Sequence, residues 1–247
     1  MVVSSLSEAL VKASDELSGP SPQGSAAGRV YTGLRARIIS LDLLPDTVLS
    51  RADIGKEHGV SQSPVREAIQ KLEQEGLVVS YPQSKTLVTK INVDHARETQ
   101  FLRLSVELEV AKTLAERRDP ELLLSSSRLL RMQKMAGEDR DISEFTTLDR
   151  LFHMSLFQAA GVSSLWHLIA GRSGHIDRLR RLNLPDPGKI SAVLDAHERI
   201  LAAITVGDLA RVEACMREHL SGTLASIPMI MASHPQYFGE AELSAQA

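Results

Sequence analysis

The 247-residue sequence predicts a mainly α-helical chain in two parts: three helices and a two-stranded ribbon, then an antiparallel bundle of six or seven helices. Three observations predict it. Apolar residues recur at helical spacing on both sides of residue 90. One pair of short β-branched, apolar runs, 77–80 and 86–90, follows the third helix. Beyond Asp94 the periodicity is interrupted near Asp119-Pro120, Gly137, Gly161, Pro185-Asp186-Pro187 and Gly207-Asp208, where helices end and turns begin.

Residues 1–27 read as a mobile arm, because the Ser18-Gly19-Pro20-Ser21-Pro22 run has little to bury. Val30, Leu34, Ile38 and Ile39 make the apolar stripe of a first helix, and Leu44-Pro45-Asp46 breaks it. A short second helix spans about 52–58, with Gly59 as its C-terminal cap. Ser61 or Ser63 caps a third helix that tolerates Pro64 in its first turn and buries Val65, Ile69 and Leu72. Gly76 ends it, and the ribbon follows. This order of parts is the plan of a winged helix-turn-helix, whose third helix enters the major groove while the ribbon touches flanking DNA.

Beyond Asp94, helical patterns cover 94–117, 120–136, 141–160, 163–183, 187–206 and 208–227, and the polar stretch from about 233 reads as a loose tail. The 43% apolar content suits globular domains, and no apolar run reaches membrane-spanning length. The N-terminus lacks a signal-type pattern, so a cytoplasmic protein is expected. Cys215 is the single cysteine, without a disulfide partner in the chain, and reads as a small buried residue. Net charge is −3, yet residues 29–90 hold nine Lys/Arg against seven Asp/Glu, a polarity that permits DNA binding without arguing for it.

The stretch Gly59-Val60-Ser61-Gln62-Ser63-Pro64-Val65-Arg66-Glu67-Ala68-Ile69, with Leu72-Glu73-Gln74-Glu75-Gly76-Leu77-Val78, resembles the signature of the GntR regulator family, most of all its FadR-type subfamily. The chemistry agrees. Arg66, one turn into the third helix, can fork onto guanine O6 and N7 or grip a phosphate; alternatively it pairs with Glu67 or Glu73. Ser61 and Ser63, beside free helix N–H groups, suit phosphate oxygens. Gln62 stands where family members commonly carry a basic residue, and Gln reads adenine. Gln83-Ser84-Lys85-Thr86 replaces the glycines common at the wing tip, leaving Lys85 and Thr86 as wing contacts. Arg51 is a further candidate.

Asp149 and His153 stand four apart and so share one helix face; His197 and His219 lie on two later helices. Three imidazoles and a carboxylate from three helices can close around a divalent cation, leaving positions for water or a ligand oxygen. Each histidine taken singly reads first as a hydrogen-bonded or partly exposed side chain, ahead of a ligand. The set resembles the ligand pattern of the FadR-type C-terminal domain, called FCD, where Asp-x3-His and two later histidines hold the metal. Zinc is the first expectation, with nickel, manganese or iron as alternatives.

Arg103, on the first bundle helix among apolar neighbours, needs an anionic partner. Glu107, one turn on, is the local one. The resemblance implies another: a carboxylate effector that also reaches the metal, a sugar or hydroxy acid given the spare donors of His175, Arg178 and Arg172. Those three are equally readable as surface residues.

The resulting division is an arm at 1–27, a DNA-binding domain at 28–92, a metal- and effector-binding domain at 93–229 and a loose tail at 230–247. The function expected is an operator-binding homodimeric regulator, a repressor first, modulated by a small carboxylate and independent of membranes. A metal-dependent enzyme using the His/Asp site, or a regulator whose metal is purely structural, are the alternatives.

Overall fold

The computed structural model describes residues 24–185 and 188–240. Most of the expected arm, and the Asp186-Pro187 part of the expected break, lie outside them; from Ala26 the chain is already helical.

Helix α1 (Ala26–Ile39) buries Val30, Leu34 and Ile38 against α3 (Gln62–Gln74), which buries Val65, Ala68, Ile69 and Leu72. Between them α2 (Arg51–His58) is capped by Ser50 Oγ, which accepts from Asp53 N–H. Gly59 stops α2 at φ +63°, ψ +38°, a left-handed conformation that a Cβ disfavours. Strands β1 (Val78–Ser80) and β2 (Thr86–Val88) pair antiparallel with Val79 opposite Leu87. Val78 and Val88 turn inward onto the core of the three helices. This is the winged helix-turn-helix the sequence predicts.

Helices α4 (Val93–Arg117), α5 (Leu124–Glu138), α6 (Ile142–Ala160), α7 (Ser163–Ala170), α8 (Gly174–Asn183), α9 (Lys189–Val206) and α10 (Leu209–Ala225) form the bundle. Asn92, Asp141 and Asp208 cap α4, α6 and α10 through their side chains. The long α4 packs against α6, α9 and α10 over a core that includes Phe145, Phe152, Phe157, Ile200 and Met216. Cys215 is buried with a free thiol.

Two expectations need correction. The single helix expected over 163–183 is two, because the chain turns at 171–173; Gly171 and Arg172 N–H close on His167 and Ile169 carbonyls, and Ser173 Oγ donates to Ile169 O. The turn lays α8 across α1 and α4. The tail is not loose as far as residue 240: α11 (Ile227–Ser233) buries Ile230 and Met231, and after a 3-10 turn Phe238 is buried beside Ile91, whose N–H donates to Tyr237 O. Phe238 has an apolar slot left by the interdomain linker and α8, so its burial outweighs the polarity around it. No helix among the described residues is long and apolar enough to cross a membrane.

Candidate metal centre and DNA-reading surface

The three histidines expected as ligands converge. His153 of α6, His197 of α9 and His219 of α10 place their ligand nitrogens within 4.8 Å of one another. His219 Nε2 lies 3.1 Å from His153 Nε2 and 3.3 Å from His197 Nε2. Each ring is oriented by its neighbours. Gln133 Oε1 of α5 accepts from His197 Nδ1 at 2.9 Å, and Phe152 stacks on the same ring at 3.9 Å. Glu107 Oε2 of α4 lies 2.7 Å from His153 Nδ1. A proton on His197 Nδ1 satisfies its contact and leaves the Nε2 lone pair facing His219, the second-shell arrangement that metal-bound imidazoles use; His153 Nδ1 and Glu107 Oε2 are close but not aligned for a hydrogen bond.

The chemistry of this set fits a cation. Burial pushes His197 down to about 3, against the opposing pull of Asp149, and burial likewise holds His219 well below its ordinary value. Neutral imidazoles crowded nitrogen to nitrogen lack protons to fill both gaps, and one divalent ion would use every lone pair. Donors about 2.0–2.1 Å from a shared ion stand roughly 3 Å apart, close to the two short separations here.

Asp149 lies at the edge of the cluster. Its Oδ1 is 3.6 Å from His197 Nε2 and accepts from Gln133 Nε2 at 3.3 Å; its Oδ2 is 3.8 Å from Arg180 Nη1. Burial alone would raise its pKa, but the positive charge gathered around it, with Arg180 and Arg103 as its permanent members, outweighs that and holds it low, so the carboxylate stays charged.

Behind His153, Arg103 and Glu107 are both 2% exposed and paired, Nε to Oε1, at 2.5 Å. The local partner read from the sequence is therefore the one found. Burial opposes the charge on Glu107, yet Arg103 and His153 together bring it down to about 2. Arg103 Nη2 remains buried with no hydrogen-bond partner among the described residues, a costly state that an anion would relieve.

His175 and Arg178 are not brought to this cluster. Arg178 is buried; its Nη1 donates to Thr89 O at 2.6 Å and its Nη2 to His175 Nδ1 at 2.9 Å. The same Nδ1 accepts from Asn92 N–H at 2.9 Å. Both residues hold the interdomain linker. Burial, then Arg178 and His95, push His175 down to about 3. Arg172 is exposed and pairs with Glu98.

On the winged domain, Arg51, Ser61, Gln62, Ser63 and Arg66 are exposed around the N-termini of α2 and α3. Glu67 accepts from Ser63 Oγ at 3.3 Å, and Arg66 has no hydrogen bond or ion pair among the described residues. Lys85 is exposed at the wing tip. Thr86 is not a wing contact: it is 4% exposed, with Oγ1 2.9 Å from Ser80 Oγ across the ribbon, because its β2 position faces inward.

Sequence reasoning missed Gln133 and Arg180. Gln133 falls on the same apolar stripe as Leu129, Leu130 and Ala136, and a polar residue on a buried stripe was the available signal. Arg180 had none, since the turn at 171–173 that aims it is invisible in the periodicity.

Comparison with known proteins agrees with this architecture. The family described as bacterial regulatory proteins, gntR family, matches residues 26–88, and the FCD domain family matches 98–222. A Streptomyces ambofaciens protein named as an uncharacterized HTH-type transcriptional regulator in an unstable DNA locus is 33% identical over 209 residues, covering 85% of this chain and 88% of its own. The HTH-type transcriptional repressor RspR of Escherichia coli strain K12 is 29% identical over 212 residues, covering 86% and 93%. Among solved structures, E. coli McbR/YncC superposes with a TM-score of 0.69 at 19% identity, covering 85% of this chain and 99% of that one, a likeness of fold.

Proposed function

Because the chain belongs to the GntR family of bacterial transcription regulators, with an FCD domain behind its winged helix-turn-helix, we propose that it is an operator-binding repressor whose bundle holds a divalent cation and senses a small carboxylate. The observation that carries this reading is the buried Arg103–Glu107–His153 array, which puts an unpaired guanidinium nitrogen behind a three-imidazole cluster.

His153, His197 and His219 would hold the cation, with Asp149 as the carboxylate ligand. Bound there, a cation supplies a Lewis-acidic point for a carboxylate oxygen. Zinc suits the nitrogen-rich set first, with nickel, manganese and iron as competitors. Arg103 Nη2 anchors the acid through a charge-assisted hydrogen bond. A sugar or hydroxy acid is the class proposed, its carboxylate shared by cation and guanidinium; His175, Arg178 and Arg172 lie elsewhere and do not serve its hydroxyls.

At the other end, Arg66 and Gln62 read base edges while Ser61, Ser63, Arg51 and Lys85 position the phosphate backbone. A homodimer presents two recognition helices to a two-fold operator. Phe101 on α4 and Leu168 on α7, both exposed, supply apolar surface for the second copy. The relatives' names support a regulator over an enzyme.

Thermal shift on tag-free protein tests the site. Zinc or manganese alone should raise the melting temperature, and a hydroxy acid should raise it further, with both gains abolished by chelator. A chain that binds neither ion refutes the proposal.

A further inference from the structure

We propose that helix α8 couples the cation site to the winged domain, through Arg180 on one face and through Gly174, His175 and Arg178 on another; this rests on Asp149 belonging to the cation site. Arg180 is a shared side chain. Its Nη1 lies 3.8 Å from Asp149 Oδ2 and 3.6 Å from Asp177 Oδ1. Charge-assisted hydrogen bonds close to about 2.7–2.9 Å, so the guanidinium is committed to neither carboxylate. Whatever takes up the negative charge of Asp149 releases Arg180 to Asp177.

Asp177 stands in the first turn of α8, next to residues that have no slack. A Cβ on Gly174 would lie 2.5 Å from Leu77 Cδ2, and a Cβ on Gly76 would lie 3.2 Å from His175 Nε2. Gly76 and Leu77 link α3 to β1. His175 and Arg178 grip the far side of the wing, at Thr89, Lys90 and Asn92. Thr89 Oγ1 donates back to Gly76 O at 2.6 Å, tying the two stretches together. A tilt of α8 therefore reaches both ends of the ribbon and the exit of the recognition helix.

A second contact runs beside the first. Arg35 of α1 pairs with Glu75, the C-cap of α3, at 2.7 Å and donates to Ala170 O of α7 at 2.7 Å. Asp177 also acts electrostatically on Arg35, so both guanidiniums lie in the field of one carboxylate. Arg180 is a discrete side chain with two available partners, Asp149 and Asp177, which is what a two-state coupling needs.

Linkage makes the proposal measurable without any effector: if cation binding alters operator affinity, DNA alters cation affinity by the same factor. Zinc is titrated into the full chain, free and bound to a duplex selected from a random library. The wild type should show a ratio of dissociation constants of about fivefold or more, the lower range of measured couplings. Asp177→Asn and Arg180→Gln should each bind zinc and DNA yet bring the ratio below about twofold, while Asp177→Glu restores it; a merely structural role would lower melting temperature and leave the ratio alone. A wild-type ratio of one, or a wild-type ratio in either folded neutral variant, overturns the coupling. Failure of the wild type to bind zinc at all overturns the cation site, a separate and recognisable result.

Discussion

Arg66 and Arg103 carry the same side chain into opposite surroundings. Arg66 projects from α3 into water, and Arg103 is 2% exposed and locked to Glu107; among the described residues Arg66 has no ion pair and one Arg103 nitrogen has no partner. The difference is desolvation. An exposed guanidinium can trade water for a base edge or phosphate and contributes little to the free fold. A buried one must be paired to exist at all, so its partner is fixed by folding and what remains free is a small, directional part of it. The reading surface is thus a set of independent residues, and the bundle interior is a coupled network. Each region should respond to substitution in its own way.

The largest effect is expected in the interior. His219 stands next to both other imidazoles, so His219→Ala should abolish cation-linked stabilisation, which for the wild type is about 4 kcal/mol at a cation concentration of 1,000 Kd. His167→Ala, on an exposed side chain of α7, should match the wild type. Calorimetry with and without cation checks it, and undiminished stabilisation of His219→Ala would break the contrast.

The next effect is on pH dependence in chelator. His197 and His175, held near 3 by burial, have folded pKa values below their unfolded value of about 6.5. Between those values the unfolded chain binds more protons, so their contribution is complete above about pH 6.5 and is lost as pH falls toward 3. Each histidine costs roughly 1.4 kcal/mol per unit in that window. A melting temperature unchanged from pH 7 to pH 5 would contradict the burial assigned to both rings.

Arg103→Ala sharpens the comparison further. It should weaken carboxylate binding by about 1.5–3 kcal/mol, as expected for a hydrogen bond to a charged group, and lower stability by stranding Glu107. Operator affinity without the acid should hold. Earlier melting with an unshifted acid dose-response would reduce Arg103 to a counter-charge.

How far each region was legible in the sequence follows the same division. The reading surface is local: Ser61, Gln62, Ser63 and Arg66 sit within two turns, and their exposure follows from the stripe of Val65, Ile69 and Leu72 that faces the other way. The histidines were legible as residue types on three helices, but their closing to 3.1–3.3 Å depends on packing between positions up to 66 apart in sequence. Gln133 showed only as a polar residue on an apolar stripe, and Arg180 and the α7–α8 turn were not legible, because their roles arise from tertiary neighbours that no periodicity encodes. Thr86 failed for a simpler reason: alternation along a three-residue strand turns it inward, and a one-residue shift in phase reverses the answer.

The smallest effects belong to the reading surface. Arg66→Ala should cost about 1–3 kcal/mol of operator affinity and relax base preference, leaving the melting temperature unchanged. Thr86→Val should do the reverse, with operator affinity intact and stability lowered by about 1 kcal/mol through the unpaired Ser80 hydroxyl. Anisotropy with a selected duplex and a thermal melt separate the two. An operator-affinity loss in Thr86→Val equal to that in Arg66→Ala would erase the boundary between surface and interior.

The central claim is that the buried array controls the exposed one. Its most direct test is operator release, measured by anisotropy of a labelled duplex as a hydroxy acid is titrated into cation-loaded and chelator-treated protein. The account predicts that the acid lowers operator affinity about fivefold or more in the loaded chain and leaves the stripped chain unmoved. Superimposable titrations in the two samples would contradict it.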